Sequence, residues 1–325
     1  MRRLLSVPVL LLLTVGLSVP SQAQPTGFTA FSFLQVEPSA RAASLGGAFS
    51  AMYGDDVNGL FYNPALLNEQ THRQLSLSYL NHLSDVNMGF VAYGHHVEAL
   101  GTTVGGGLRF LGWGDLEGAD ALGNRTGSFR ASDLALTLTG ARAYTDQLRY
   151  GASVHLIRSA IDDVQAVAVA ADLGVVYLVP AQALTLSASV HNLGVTLSNL
   201  GETDDVLPVD VRVSVTKRLQ NLPLRLSVLG YDLTDPGSDL PEATAADNVL
   251  NHVAVGGEFL FSEAFQVRLG YNHRRHEALA TKSRLDLAGL GIGFGLRLAR
   301  VRVDYGYNSW SSLGGLHQFT LGTTI

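Results

Sequence analysis

Beyond residue 73 the chain alternates apolar and polar positions with a period of two. Leu75, Leu77 and Tyr79 are interleaved with Ser76 and Ser78, and Leu134, Leu136 and Leu138 with Ala135, Thr137 and Thr139. Leu184, Leu186, Ala188 and Val190 alternate with Thr185, Ser187, Ser189 and His191. Val301, Val303, Tyr305 and Tyr307 alternate with Arg302, Asp304, Gly306 and Asn308. Successive side chains of a strand point to opposite faces, so each run carries one apolar and one polar face. The runs predict about 14 strands, over 74–81, 87–97, 101–113, 129–143, 147–160, 164–178, 183–194, 208–218, 222–232, 250–260, 264–274, 285–298, 301–308 and 316–325. Near Gly289 the apolar set changes parity, from Leu285 and Leu287 to Leu290, Ile292 and Phe294, which predicts a β-bulge there.

The links between these runs alternate in length. Glu98-Ala99-Leu100, Tyr144-Thr145-Asp146, Leu219-Gln220-Asn221 and Phe261-Ser262-Glu263 read as tight turns; 114–128, 195–207, 233–249 and 275–284 read as longer polar loops. Short turns at one end and long loops at the other is the pattern of an up-and-down transmembrane β-barrel, and an even strand number puts both termini at the short-turn end, facing the periplasm. The alternative is a soluble β-sandwich, whose strands are shorter, about 5–6 residues, and whose links alternate less regularly. Aromatics favour the barrel. Tyr144, Tyr177, Phe261 and Phe265 lie by the short turns, and Trp113, Phe129, Tyr231, Tyr271, Tyr307 and Trp310 toward the long loops, as two interfacial belts would require. Phe319, Leu321, Thr323 and Ile325 share a face of the last run, which suits closure of that strand against the first.

Composition narrows the setting. Of 325 residues 46% are hydrophobic and only 15% charged, well below the soluble norm of about 25%. A formal net charge of −6 with no basic block argues against nucleic acid, and the absence of Cys excludes disulfides and thiolate metal sites. Arg2 and Arg3, the apolar run Leu4 to Leu17 and Ser21-Gln22-Ala23 form a secretory signal cleaved after Ala23. No later stretch is long and apolar enough for a membrane helix. The expected organisation is a signal over 1–23, a plug or hatch over 24–73 and an outer-membrane barrel over 74–325. Its expected surroundings are outer-membrane lipid, with lipopolysaccharide as a candidate contact.

If the apolar face meets lipid, alternate residues point into the lumen: Arg109, Asp133, Arg149, His155, Asp172, Asp210, Arg212, Arg225, Arg268, Arg297, Arg302 and Asp304. An Arg on the lipid face costs about 2–4 kcal/mol near the midplane, so confinement of charge to one parity marks a polar interior. Mixed signs favour ion pairs between plug and wall over a selectivity lining. Other chemistry is thin. His95 and His96, adjacent on a strand, point to opposite faces and do not readily share a metal; the run His273 to His276 reads as a solvated loop; Asp232, Asp235 and Asp239 lack calcium-loop spacing. Gly105-Gly106-Gly107 inside a strand suggests a tight bend or close backbone approach. Nothing points to an enzyme or a cofactor.

The stretch from Phe28 to Leu67 follows no strand pattern. It contains Pro38-Ser39-Ala40-Arg41-Ala42-Ala43-Ser44-Leu45-Gly46-Gly47-Ala48, then Asp55-Asp56, then Asn63-Pro64-Ala65-Leu66-Leu67. Gly46-Gly47 would allow close packing against a wall, and Asn63-Pro64 would turn the chain toward it. Charge and parity pair Arg41 with a lumenal carboxylate such as Asp133 or Asp172. This signature resembles the N-terminal region of the FadL-like outer-membrane proteins, and within them the PorV/PorQ branch of the type IX secretion system; Phe31-Ser32-Phe33-Leu34, Gly127 to Asp133 and Asn192-Leu193-Gly194 extend the likeness. The resemblance implies a fourteen-stranded barrel with an N-terminal hatch. It also implies a role in protein secretion, with other secretion-system proteins and cargo as partners. The alternative it carries is a channel for hydrophobic small molecules.

Overall fold

The computed structural model describes residues 29–81, 86–119, 122–202, 204–234, 245–281, 286–310 and 314–325; the predicted signal over 1–23 and the acidic residues Asp235 and Asp239 lie outside them. Fourteen strands, each antiparallel to its neighbours, close into a barrel. They are β1 (Gln74–Asn81), β2 (Asn87–Val97), β3 (Thr102–Ala119), β4 (Arg125–Ala143), β5 (Leu148–Ile161), β6 (Val164–Val179), β7 (Leu184–Ser198), β8 (Asp210–Arg218), β9 (Leu224–Gly230), β10 (Val253–Leu260), β11 (Phe265–Asn272), β12 (Leu290–Leu298), β13 (Val301–Ser309) and β14 (Gly315–Thr324). Closure runs through β1 and β14, from Gln74 opposite Thr324 to Asn81 opposite His317, which leaves the sheet no first or last edge.

The alternation sorts as the sequence requires. On β5, Ser153, His155 and Ile157 are buried inside the wall, while Tyr150, Val154 and Leu156 stand exposed outside it. Such an apolar outer face needs a bilayer around it.

Four boundaries differ from expectation, each for a local reason. The predicted loop 114–128 is mostly a hairpin extension, with Asp115 opposite Arg130 and Glu117 opposite Ser128, beyond a register shift at Gly112. Ion pairs Arg130–Asp115 at 2.8 Å and Arg125–Glu117 at 3.2 Å dress this extension in polar groups, which is why it reads as loop. Gly289 is no bulge: at φ +79° it ends a turn, and β12 starts at Leu290. The His273 run forms a short helix, α3 (His273–Leu279), with the Asn272 side chain accepting from the Arg275 amide, and residues before Val253 form α2 (Ala245–Leu250). The belt residues also divide, because Tyr231 and Trp310 pack inward against buried clusters rather than outward.

The N-terminal segment lies inside the wall. It is built from a five-residue helix, α1 (Ala40–Ser44), and 3-10 turns at Ser32–Gln35, Val57–Phe61, Pro64–Leu66 and Glu69–Thr71. Short polar caps start most of these pieces: Ser39, Asp56, Asn63 and Asn68 each accept a hydrogen bond from an amide two or three residues on. Two apolar clusters surround the segment. Toward the long loops, Phe31, Phe33 and Leu34 pack against lumen-facing Leu80, Met88, Phe90, Leu111, Ile157 and Leu316. Lower down, Leu45, Phe49, Leu60, Phe61, Leu66 and Leu67 form a second core that meets the wall at Ala92, Ala141 and Val176.

Candidate functional site

A network of buried charge joins the N-terminal segment to one side of the barrel. Arg41 Nε and Nη2 donate to Glu258 Oε1 and Oε2 at 2.9 and 2.8 Å, the two-pronged geometry a guanidinium and a carboxylate favour. Arg41 Nη1 also donates to Asp56 Oδ2 at 3.1 Å. Glu258 is shared further, with Arg268 Nε at 2.9 Å and Arg225 Nη1 at 3.0 Å. Arg268 then reaches Asp304 at 2.7 Å, Asp304 meets Arg302 at 2.7 Å, and Arg302 returns to Asp56 at 3.4 Å. Three arginines and three carboxylates thus form a closed circuit from α1 through β10, β11 and β13, with Arg225 of β9 branching from Glu258. At its lower rim Arg297 bridges to Asp55 at 2.6 Å.

Burial opposes charge at both plug residues of this circuit, and the partners win. Desolvation alone would lower the Arg41 pKa and raise that of Asp56. Glu258 and Asp56 instead push Arg41 above its ordinary value, and Arg302 with Arg41 hold Asp56 below the usual carboxylate range. Removing one member of such a group leaves an uncompensated buried charge, at about 3–5 kcal/mol.

The expected pairing of Arg41 with Asp133 or Asp172 is therefore wrong. Asp133 accepts from Trp113 Nε1 at 3.1 Å on the opposite wall. Asp172 lies 3.0 Å from both His155 Nε2 and His191 Nδ1, and it accepts the Asn192 amide at 2.8 Å. Parity gives the face of the sheet but not the direction around the barrel, so it cannot choose among inward carboxylates. Glu258 was not among the expected residues, although Val253, Val255 and Phe259 alternate outward on β10 and so place it inside. Gly257, at an outward position, interrupts the apolar alternation that would have drawn attention to it.

Among the remaining expected residues, Arg109 and Arg149 of the wall and Asn63 of the segment make further attachments. Arg109 donates to Leu34 O at 2.5 Å and to Phe61 O at 3.4 Å, with its guanidinium 4.9 Å from the centre of the Phe61 ring. Arg149 reaches Leu67 O at 3.3 Å and Glu69 at 3.3 Å. Asp210 and Arg212 pair with each other at 2.5 Å. Asn63 caps the turn that Pro64 begins and donates from Nδ2 to Val175 O at 3.2 Å. Gly46 and Gly47, at φ +67° and +91°, end α1.

Close approach of backbone to wall explains the inward glycines. A Cβ on Gly270 would lie 2.1 Å from the Leu45 carbonyl carbon, so α1 can sit against β11 only there. The Gly105–Gly107 run has the same role for the second core, since a Cβ on Gly107 would lie 2.6 Å from Phe61 Cε1.

Among the described residues no group of three or more His, Asp or Glu could hold a metal ion. His95 and His96 do point apart: the His95 ring stacks on Tyr93, and His96 Nδ1 lies 2.9 Å from Thr103 Oγ1.

No protein-family model matches the chain, and no curated protein does. Solved structures do. The toluene transporter TbuX of Ralstonia pickettii superposes with a TM-score of 0.58 at 14% identity, covering 90% of this chain and 99% of that one. The toluene transporter TodX of Pseudomonas putida gives 0.55 at 12%, covering 91% and 96%. A FadL homologue of Pseudomonas aeruginosa gives 0.54 at 11%, covering 88% and 98%. At such identity the likeness is one of fold, and the fold of this chain is that of the FadL-type outer-membrane barrels.

Proposed function

We propose that this protein is an outer-membrane channel for hydrophobic small molecules, with residues 29–73 as its hatch and the short-turn mouth facing the periplasm. The observation that carries this reading is the apolar half of the lumen. Leu80, Met88, Phe90, Leu111, Ile157 and Leu316 face inward at the long-loop end, where a pore for polar solutes would be lined by charge. Phe31, Phe33 and Leu34 fill that compartment, standing where an apolar solute would pass. The likeness in fold to two toluene transporters supports the same reading. Uptake of toluene or a long-chain hydrocarbon by vesicles containing the purified protein tests it. Phe33→Ala should speed uptake, and a rate equal to that of empty vesicles would overturn the proposal.

A second reading is a non-enzymatic component of the type IX secretion system, aiding export or surface attachment of cargo. It is favoured by the resemblance of the stretch Pro38 to Leu67 and by how closely the segment fills the lumen: the void beside Asp172 and Arg109 measures only about 30 Å³, room for about one water. Deletion that leaves exported cargo in the periplasm while hydrocarbon uptake is unchanged would favour this reading over the first.

A further inference from the structure

A cleft of about 530 Å³ opens at the short-turn mouth, between the segment and the lower ends of β1, β13 and β14. Its floor is the buried end of the ion circuit, Asp56, Arg302 and Asp304, and its apolar side is Leu75 and Val301. Three further arginines, Arg73, Arg297 and Arg300, line it. Arg297 is engaged with Asp55, but that pair is about 40% exposed on both sides. Arg73 and Arg300 are exposed and have no carboxylate within ion-pair distance among the described residues. Arg73 is also held in the left-handed region, at φ +57°, with its amide donating to Gly94 O and its carbonyl accepting from the Ile325 amide. A non-glycine residue rarely takes that conformation without the surroundings imposing it.

The spacing of these cations decides what they can hold. Arg73 precedes β1, Arg300 lies in the turn before β13, and Arg297 is on β12, so their backbones span four adjacent strands. At about 4.8 Å between strands that is roughly 14 Å. Cations so spread suit several anionic groups along one chain better than a single carboxylate or phosphate, and an extended chain at about 3.3 Å per residue offers same-face carboxylates about 13 Å apart at every fourth residue. We infer that the cleft is a docking site for an acidic peptide segment of a partner protein, bound by Arg73, Arg300 and Arg297. The inference holds whether the barrel carries hydrocarbons or serves secretion. Because Asp55 adjoins Asp56, an acidic segment that draws Arg297 away acts next to the buried circuit.

The test uses the full protein in detergent micelles and fluorescein-labelled hexaglutamate, read by anisotropy, with hexalysine, free glutamate and inorganic phosphate as comparisons. Hexaglutamate should bind, hexalysine should not, and binding should vanish in about 1 M salt, where screening falls to about 3 Å. Arg73→Glu with Arg300→Glu should weaken binding about tenfold or more, while Arg73→Lys with Arg300→Lys should keep it within about threefold. Heat-modifiable gel mobility certifies a folded barrel in each variant. If the reversed pair fails that check, Arg73→Gln with Arg300→Gln replaces it. No binding to the unaltered protein, equal binding to the folded double variant, or equal binding of hexalysine overturns the inference. Free glutamate or phosphate binding as tightly as the peptide overturns it too, in favour of a small-anion site.

Discussion

The N-terminal segment meets the barrel in two different ways. Toward β9–β13 it is held by charge: Arg41 and Asp56 enter a circuit with Glu258, Arg268, Arg302 and Asp304, from which Arg225 branches. Toward β2–β6 apolar side chains and backbone contacts predominate, with Leu60, Phe61 and Leu67 over inward glycines and Asn63 bonded to Val175 O, while Arg109 and Arg149 add charged contacts that close no circuit. The first attachment needs every partner, because each ion is costly without the others. The second loses stability by increments, in proportion to the apolar surface removed. Loss of one partner therefore weakens the first side as a unit, whereas the second weakens group by group.

Removing Glu258 is the strongest way to break that asymmetry. Glu258→Ala leaves Arg41, Arg225 and Arg268 facing one another inside the wall. Docking of α1 should weaken by about 3–5 kcal/mol. Amide exchange at Ala43, Leu45 and Gly46 should quicken accordingly, while amides of 63–67 stay protected. Unchanged exchange at α1 would show that the circuit does not hold it.

Leu60→Ala examines the other side. Leu60 is fully buried against the wall, and its truncation should cost about 3 kcal/mol. Exchange should rise at 57–67 and change little at α1. A rise shared equally by both regions would mean that the two attachments open together.

These two experiments also separate what the sequence told from what it hid. Strand number, closure and the inward parity of Arg268, Arg302 and Asp304 were legible, because a period of two is a local property of the backbone. The partner of Arg41 was not. Glu258 is 217 residues away, and its meeting with Arg41 depends on how far around a fourteen-stranded wall α1 lies. The extension of β3 and β4 to Ala119 and Arg125 was hidden for the opposite reason: its outer ends carry the polar residues of a loop because they stand clear of the apolar belt. His191, beside Asp172, was visible as a polar alternate on β7, but nothing local named its partner.

Acid should discriminate between the sides without any mutation. Docking lowers the pKa of Asp56, so its contribution is present above the ordinary carboxylate value and is lost as pH falls through the docked value. Protection of α1 should thus be flat from pH 7 down to about 4 and fall only below that. The contacts of Leu60 and Phe61 contain no carboxylate, and protection at 63–67, beyond the turn that Asp56 caps, should fall less. Loss of α1 protection beginning near pH 6 would show that Asp56 is not the group whose protonation releases α1.

Arg297→Ala is the mildest perturbation, and it shows where the charged side stops mattering. Arg297 and Asp55 are about 40% exposed, so water already screens them, and an ion pair of this kind is worth less than about 1 kcal/mol. Arg302, Arg41 and Asp56, one residue deeper, are buried and mutually bound. Exchange at α1 in Arg297→Ala should stay within about fivefold of the unaltered protein. A larger effect, approaching that of Glu258→Ala, would extend the circuit to the rim and make Asp55 part of the same unit. A small one confines cooperative attachment to buried groups, so that the rim pair is free to exchange partners without releasing α1.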